Sequence, residues 1–399
     1  MMEPIVITGA GVISAIGNNK QETLASLRTG KTGVGRLRYL QTAHKEFPVG
    51  EVKLSNEEMK QMLGITQEPT TRTSLMGMVA MREALGEAKL LSNKAHHPIL
   101  VSGTTVGGMD KSEQFYLDYL SNDSKTVYIK THDCGSTTEL IADHFGIYSM
   151  VTSISTACSS AANALILGAN MIRSGKTEIA VVGGSECITK FHLNGFNSLM
   201  ILDHEQCRPF DETRAGLNLG EGASYLVIET ESSAKQRGVE ILGMLRGYGN
   251  ACDAYHQTAS SDNGEGAYVA MLKALKMAGL KSGEIDYVNA HGTGTPNNDR
   301  SESQGIFRLF GKRLPYISST KGMTGHTTSA SGAVEATICL LALQHQIVPG
   351  NYGWSHPMSD GVSPVAAPLL DVVLENVMCN SFGFGGNDSS FILTKYHHA

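Results

Sequence analysis

The sequence predicts an α/β fold built from two similar halves. Three observations carry that reading. Short apolar runs of strand character alternate with helical patterns along all 399 residues, and such alternation gives internal sheets covered by helices on both faces. The 44 glycines are spread between those runs as turns. Each half also has one strand–turn–helix element whose helix begins at a reactive side chain, Cys158 in the first half and His326 in the second.

Taken in order, residues 4–9 (PIVITG) read as a buried strand ending in glycine, and 19–29 as an amphipathic helix. Residues 72–90 place apolar side chains at helical spacing. ILVSGTT (99–105) and VTSIST (151–156) read as strands, and the second runs into a helix rich in alanine and serine. Strands at 178–186 and 223–230 follow, then the polar stretch 229–240, the best boundary between halves. The second half has a helix at 266–280 and strand-to-loop segments at 284–295 and 315–326. A second small-residue helix comes next, then a glycine-rich turn closing 371–386 and a last strand at 389–396.

Composition narrows the function. A formal charge of −6 argues against nucleic acid, which calls for a basic stripe. No apolar run is long enough to span a membrane. The segment MMEPIVITGAGVIS lacks the pattern of a signal peptide. Seven scattered cysteines with no CxxC pair exclude a disulfide framework and a zinc ribbon, and point to a reducing cytoplasm. ITGAGVISAIG imitates a dinucleotide-binding fingerprint, but the acidic residue expected about 20 positions on is missing from LRTGKTGVGRLRYL. The better reading is a tight glycine turn after a buried strand.

Three residues stand out chemically. Cys158, in TACSSAAN, lies where a strand gives way to a helix. The helix dipole and free N–H groups there favour thiolate, which predicts a lowered thiol pKa, and the same N–H groups suit an oxyanion. Ordinary core packing of a small thiol explains the position equally well. His291 in NAHGTGTPNND and His326 in STKGMTGH each follow a strand beside glycine and threonine. One such histidine is usually a structural hydrogen-bonder; two are harder to dismiss. Metal binding ranks behind, because HExxH and a neighbouring cysteine pair are both lacking.

Together TACSS, RPFDETRAGLNLGEGA, HGTGTPNND, STKGMTGH and NSFGFGGND, in this order, resemble the elongating β-ketoacyl-acyl carrier protein synthases. The similarity spans the whole chain and is nearest to type II polyketide and aryl-polyene synthases. The resemblance implies a thiolase-like five-layered α/β/α/β/α sandwich, with 1–235 carrying the nucleophile and 236–399 both histidines. It implies an acyltransferase that joins an acyl group on Cys158 to malonyl-acyl carrier protein, with loss of carbon dioxide and no cofactor.

By the same resemblance, His291 and His326 promote decarboxylation, and Lys321 pairs with Glu335. Asp299 and Glu302 support the cluster. Phe384 gates the site and offers a second oxyanion N–H, and Phe196 lines the acyl pocket. Arg208, Asp211, Arg214 and Glu221 match structural positions. Implied partners are acyl carrier protein and a second subunit, either an identical copy or a chain-length-factor-like chain. Arg72, Lys125 and Lys130 are candidates for carrier docking. The chain departs from the fatty-acid pattern in two places. TTSASG follows His326 in place of a leucine-rich LLGAAG, and Asn387 follows GFGG in place of threonine. Three alternatives are a degradative thiolase with Cys379 as second cysteine, a starter-condensing synthase of Cys, His and Asn type, and a non-catalytic chain-length partner.

Overall fold

The computed structural model describes residues 3–66, 69–91, 96–121 and 123–397. Ten strands form its frame: β1 (Ile5–Ser14), β2 (Ile99–Gly103), β3 (Val151–Ile154), β4 (Ile179–Glu186), β5 (Gly222–Thr230), β6 (Gly243–Cys252), β7 (Tyr287–Asn289), β8 (Tyr316–Ser318), β9 (Asn376–Gly383) and β10 (Asn387–Thr394). They pair in the order β3-β2-β4-β5-β1-β6-β10-β9-β7-β8. Numbered within its own half, each set of five reads third, second, fourth, fifth, first. The two sets meet through a short antiparallel pairing of Ile5, Val6 and Ile7 with Leu245, Met244 and Gly243.

Helices fill the space between and outside these two sheets. The inner helices Ser160–Arg173 and Ser331–His345 touch each other and strands of both halves. Ser331–His345 is buried along nearly its whole length, so apart from Glu335 its buried length carries apolar or small residues on every face. The outer helices Arg72–Glu87 and Cys134–Phe145 cover the first sheet, and Glu265–Ala278 and Pro296–Phe310 cover the second. The result is the five-layered sandwich. One apolar core fills the middle, and separate cores lie under each outer helix layer. Among the described residues no helix is long and apolar enough to cross a membrane.

Two local expectations change. The first strand does not stop at Gly9; it continues through the glycines to Ser14. Those glycines make no turn. They let the outer helix lie directly on the strand, because a Cβ on Gly9 would come 2.2 Å from Ala84 O and one on Gly11 would come 2.0 Å from Ala80 O. The polar stretch 229–240 contains the short helix Glu231–Arg237, whose Ala234 packs with Val6 and Ile241 beneath the sheet.

Gly11→Ala should therefore force helix and strand apart and cost about 1–3 kcal/mol. Urea denaturation of the folded protein measures it; an unchanged midpoint would contradict this packing account.

Candidate active site

The site is built from three turns. The first lies between β3, which ends at Ile154, and the inner helix, which starts at Ser160. Ala157 takes φ 51° there, a strained conformation for a residue with a Cβ. Hydroxyls brace it: Thr156 N–H donates to Ser160 Oγ (2.8 Å), and Ser160 Oγ donates to Ala157 O (2.6 Å). Cys158 follows at once and is buried.

The second turn, between β9 and β10, carries Phe384, followed by Gly385 and Gly386 at φ 84° and 78°. The backbone N–H groups of Phe384 and of Cys158 itself both favour the charged form of the Cys158 sulfur. Burial nevertheless pushes the thiol up to about 11, more than Lys321 and these two amides lower it. The expected low pKa is therefore not found. In this dry setting desolvation outweighs the helix terminus, and Cys158 rests as a neutral thiol.

The third turn group holds the imidazoles. His326 lies between the short helix Lys321–Thr324 and the turn Thr328–Ala330, five residues before the inner helix rather than at its start. Its Nε2 is 3.1 Å from Cys158 Sγ. Its Nδ1 accepts from Thr328 N–H (3.3 Å) and lies 3.0 Å from Ser331 Oγ. His291 follows β7, and its Nδ1 faces Lys321 Nζ at 3.3 Å. A ring that accepts at Nδ1 carries its hydrogen on Nε2. Burial, reinforced by the Lys321 charge, holds both histidines well below the usual imidazole range, so both are neutral. The rings sit 5.2 Å apart, edge to face, and one atom from each lies within 4.8 Å of the sulfur and of the other.

Acidic groups fix this arrangement from behind. Lys321 is ion-paired with Glu335, both fully enclosed, and burial pushes the Glu335 carboxyl up to about 7. Glu302 accepts from His291 N–H (2.9 Å), Gly292 N–H (2.8 Å) and Asn380 Nδ2 (3.0 Å), which pins the His291 loop. Asp299 does the same for the next turn, accepting from Gly294 N–H (3.1 Å) and Phe210 N–H (2.7 Å). His326 N–H donates to Asn218 O at 2.7 Å, so the glycine-rich segment 208–223 anchors the second imidazole. A cavity of about 300 Å³ reaches Cys158, His291, His326 and Phe384, and it is also lined by Thr258, Ser260, Thr293 and Asn297. The arrangement offers a nucleophile, two amides aimed at it, and two neutral imidazoles presenting N–H donors beside it.

Comparison with known proteins identifies this arrangement. Residues 2–234 match the Beta-ketoacyl synthase, N-terminal domain, and residues 242–354 the Beta-ketoacyl synthase, C-terminal domain. The chain belongs to the β-ketoacyl synthase family. The 3-oxoacyl-[acyl-carrier-protein] synthase 2 of a Synechocystis species is 31% identical, with 98% of each chain covered. The protein of the same name from Vibrio harveyi is 30% identical over 98% of each chain. Among solved structures, the ishigamide ketosynthase/chain length factor aligns at TM-score 0.92 with 30% identity over 100% of both chains. The ketosynthase ApeO in complex with its chain length factor ApeC, from Xenorhabdus doucetiae, aligns at 0.82 with 30% identity over 99% and 98%.

The remaining residues named from sequence fall elsewhere in this β-ketoacyl synthase. Phe196 is not among the cavity-lining residues; its ring stacks on Phe384 at 5.9 Å. Arg72 cannot serve as a docking residue, because it is buried and its guanidinium pairs with Glu221 (2.5 Å) and donates to Val52 O and Leu54 O. Lys125 and Lys130 lie together on the segment Asp123–His132, with Lys125 Nζ 4.7 Å from the Phe115 ring. Cys379 is buried in β9 and lines no part of the cavity, which leaves a thiolase without its second cysteine.

Other contributors were passed over in the sequence. His192 is buried 6.2 Å from the Phe196 ring and adds to the field that lowers His326. Thr328 supplies the N–H that fixes the His326 tautomer. The histidine in KFHLNGF was a visible signal; the Thr328 amide was not, since any residue there carries one.

Two outcomes follow. Alkylation of Cys158 by iodoacetamide should rise about tenfold per pH unit up to about pH 10, because only thiolate reacts. A plateau by about pH 8 would mean a thiolate held at rest. Arg72→Ala should cost about 3–5 kcal/mol of stability by leaving Glu221 buried and unpaired, with no change in KM for a carrier-bound substrate.

Proposed function

We propose that this chain is a 3-oxoacyl-[acyl-carrier-protein] synthase, condensing an acyl thioester with malonyl-acyl carrier protein in fatty-acid or polyketide synthesis. The observation that carries the reading is the pair of neutral imidazoles. Each has its Nδ1 occupied by a donor, which leaves an Nε2 hydrogen for the space beside Cys158. The first half of the chain supplies the nucleophile and the second both imidazoles.

In the first half-reaction the Cys158 sulfur attacks the acyl thioester carbonyl. The Cys158 and Phe384 amides take up the oxyanion, and the thiol proton ends on the departing pantetheine sulfur. In the second, the malonyl carboxylate leaves as carbon dioxide. Its electron pair passes to the α-carbon, and the enolate oxygen is held by the His291 and His326 N–H groups. The carbanion attacks the acyl carbonyl on Cys158. The adduct collapses to the 3-oxoacyl thioester, and a solvent proton restores the thiol. Lys321 acts on both half-reactions by holding His291 and lending positive charge. No cofactor enters this cycle, because decarboxylation drives it.

The acyl carrier protein named in the relatives' activity supplies both substrates. The two relatives solved with a chain length factor favour a dimer with a second, related subunit over an isolated chain. All seven cysteines are free, which supports a reducing cytoplasm.

Cys158→Gln should release carbon dioxide from malonyl-acyl carrier protein without any acyl primer, since the amide imitates an acylated cysteine. In the same assay His291→Ala and His326→Ala should lose about 10²–10³ in rate and still take an acyl group onto Cys158. Loss of acylation with decarboxylation retained would reverse these roles.

A further inference from the structure

A second network joins the Cys158 turn to the Phe384 turn, and its centre is a residue outside the reaction described above. Asn387 is the first residue of β10, three positions after Phe384. Its side-chain oxygen lies 2.7 Å from Asn163 Nδ2, 2.8 Å from Ser159 Oγ and 2.9 Å from Asn250 Nδ2. Ser159 directly follows Cys158, and Asn163 lies on the inner helix that begins there. The other hydrogen of the Asn163 amide goes to Thr156 Oγ1 (2.8 Å), on the preceding side of Cys158. Both flanks of the nucleophile are therefore tied to one oxygen.

Backbone contact enforces the same closeness. Gly383 precedes Phe384, and a Cβ there would lie 2.8 Å from Thr156 O and 3.1 Å from Ser159 Oγ. The two turns touch with no room for a side chain. The amides of Cys158 and Phe384 belong to these two turns, and both act on the same sulfur. An oxyanion hole works only if its donors stand where the charge will develop, so whatever sets the spacing of the turns sets the hole.

We propose that Asn387 is a positioning residue for acyl transfer: its side-chain carbonyl clamps the Phe384 turn onto the Cys158 turn and holds the two oxyanion amides in register. The amide oxygen suits this role because it receives donors from three elements at once. The threonine expected at this position has a shorter reach and a hydroxyl that must rotate to serve them. The clamp concerns tetrahedral adducts at the sulfur. It does not bear on the reactivity of the thiol itself, nor on the enolate held by the two imidazoles. The proposal rests on the condensing reading only in naming acyl transfer as the step affected.

The test compares two reactions at Cys158. Transfer of an acyl group from an acyl-pantetheine thioester passes through an oxyanion; alkylation by iodoacetamide does not. In single-turnover mass measurements Asn387→Ala should lower acyl transfer about tenfold or more, Asn387→Thr should fall between it and wild type, and alkylation at the same pH should stay within about twofold for both. Should the alanine variant fail to fold, the threonine variant supplies the same ratio. Acyl transfer unchanged, or lowered in proportion to alkylation, overturns the clamp. A wild-type protein that is alkylated yet accepts no acyl group overturns the condensing reading, and the clamp with it.

Discussion

One buried ammonium governs the chemistry of this site. Lys321 is fully enclosed, and Glu335 is its ion-pair partner on the inner helix. Its field lowers His291 and His326 and works against the burial that raises Cys158 and Glu335. Its hydrogens also occupy His291 Nδ1. Without that charge the imidazoles would take up protons more readily, and without that donor His291 would lose the partner that fixes its tautomer. Burying a lysine and a glutamate costs more desolvation than a surface pair could return, so the pair earns its place by fixing protonation states rather than by stability. Glu335 Oε2 has no hydrogen-bond partner, which marks the pair as held in place by the fold around it.

The second constraint is close approach of backbone. Functional groups come from segments that follow β3, β7, β8 and β9, and glycine stands at crossings where such a turn, or one inner helix, presses on its neighbour. Gly383 against Thr156 and Gly332 against Ala162 are two such crossings; a Cβ on Gly332 would come 2.7 Å from Ala162 N. The small residues of both inner helices have the same cause, since each must touch the other and a sheet on either side.

Much of this was legible in the sequence. The alternating pattern gave α/β, and the motifs around Cys158, His291 and His326 brought together the residues that the fold assembles. Lys321 and Glu335, which the family resemblance pairs, lie 14 residues apart in the chain and form an ion pair in the structure. What could not be read was set by burial or by partners far along the chain. A cysteine near a helix start looks acidic until its desolvation is known. Arg72 looked like a surface cation because Glu221, 149 residues away, is invisible from its neighbours. The Asn387 network joins four segments, and its members each look like ordinary polar residues when taken singly.

The narrow seam between the two sheets has a consequence for how the chain comes into being on the ribosome. β1 is made first, yet its outer edge stays open until Gly243–Leu245 emerge to pair with it. The helix Ser160–Arg173 is made well before Ser331–His345, which covers it in the finished molecule. A nascent chain of the first half alone must therefore hold an apolar inner face without its cover while more than a hundred further residues are synthesised. For much of that interval the nucleophile stands without the second imidazole, and without the Phe384 amide until later still, so the site is complete only once Phe384 has been made.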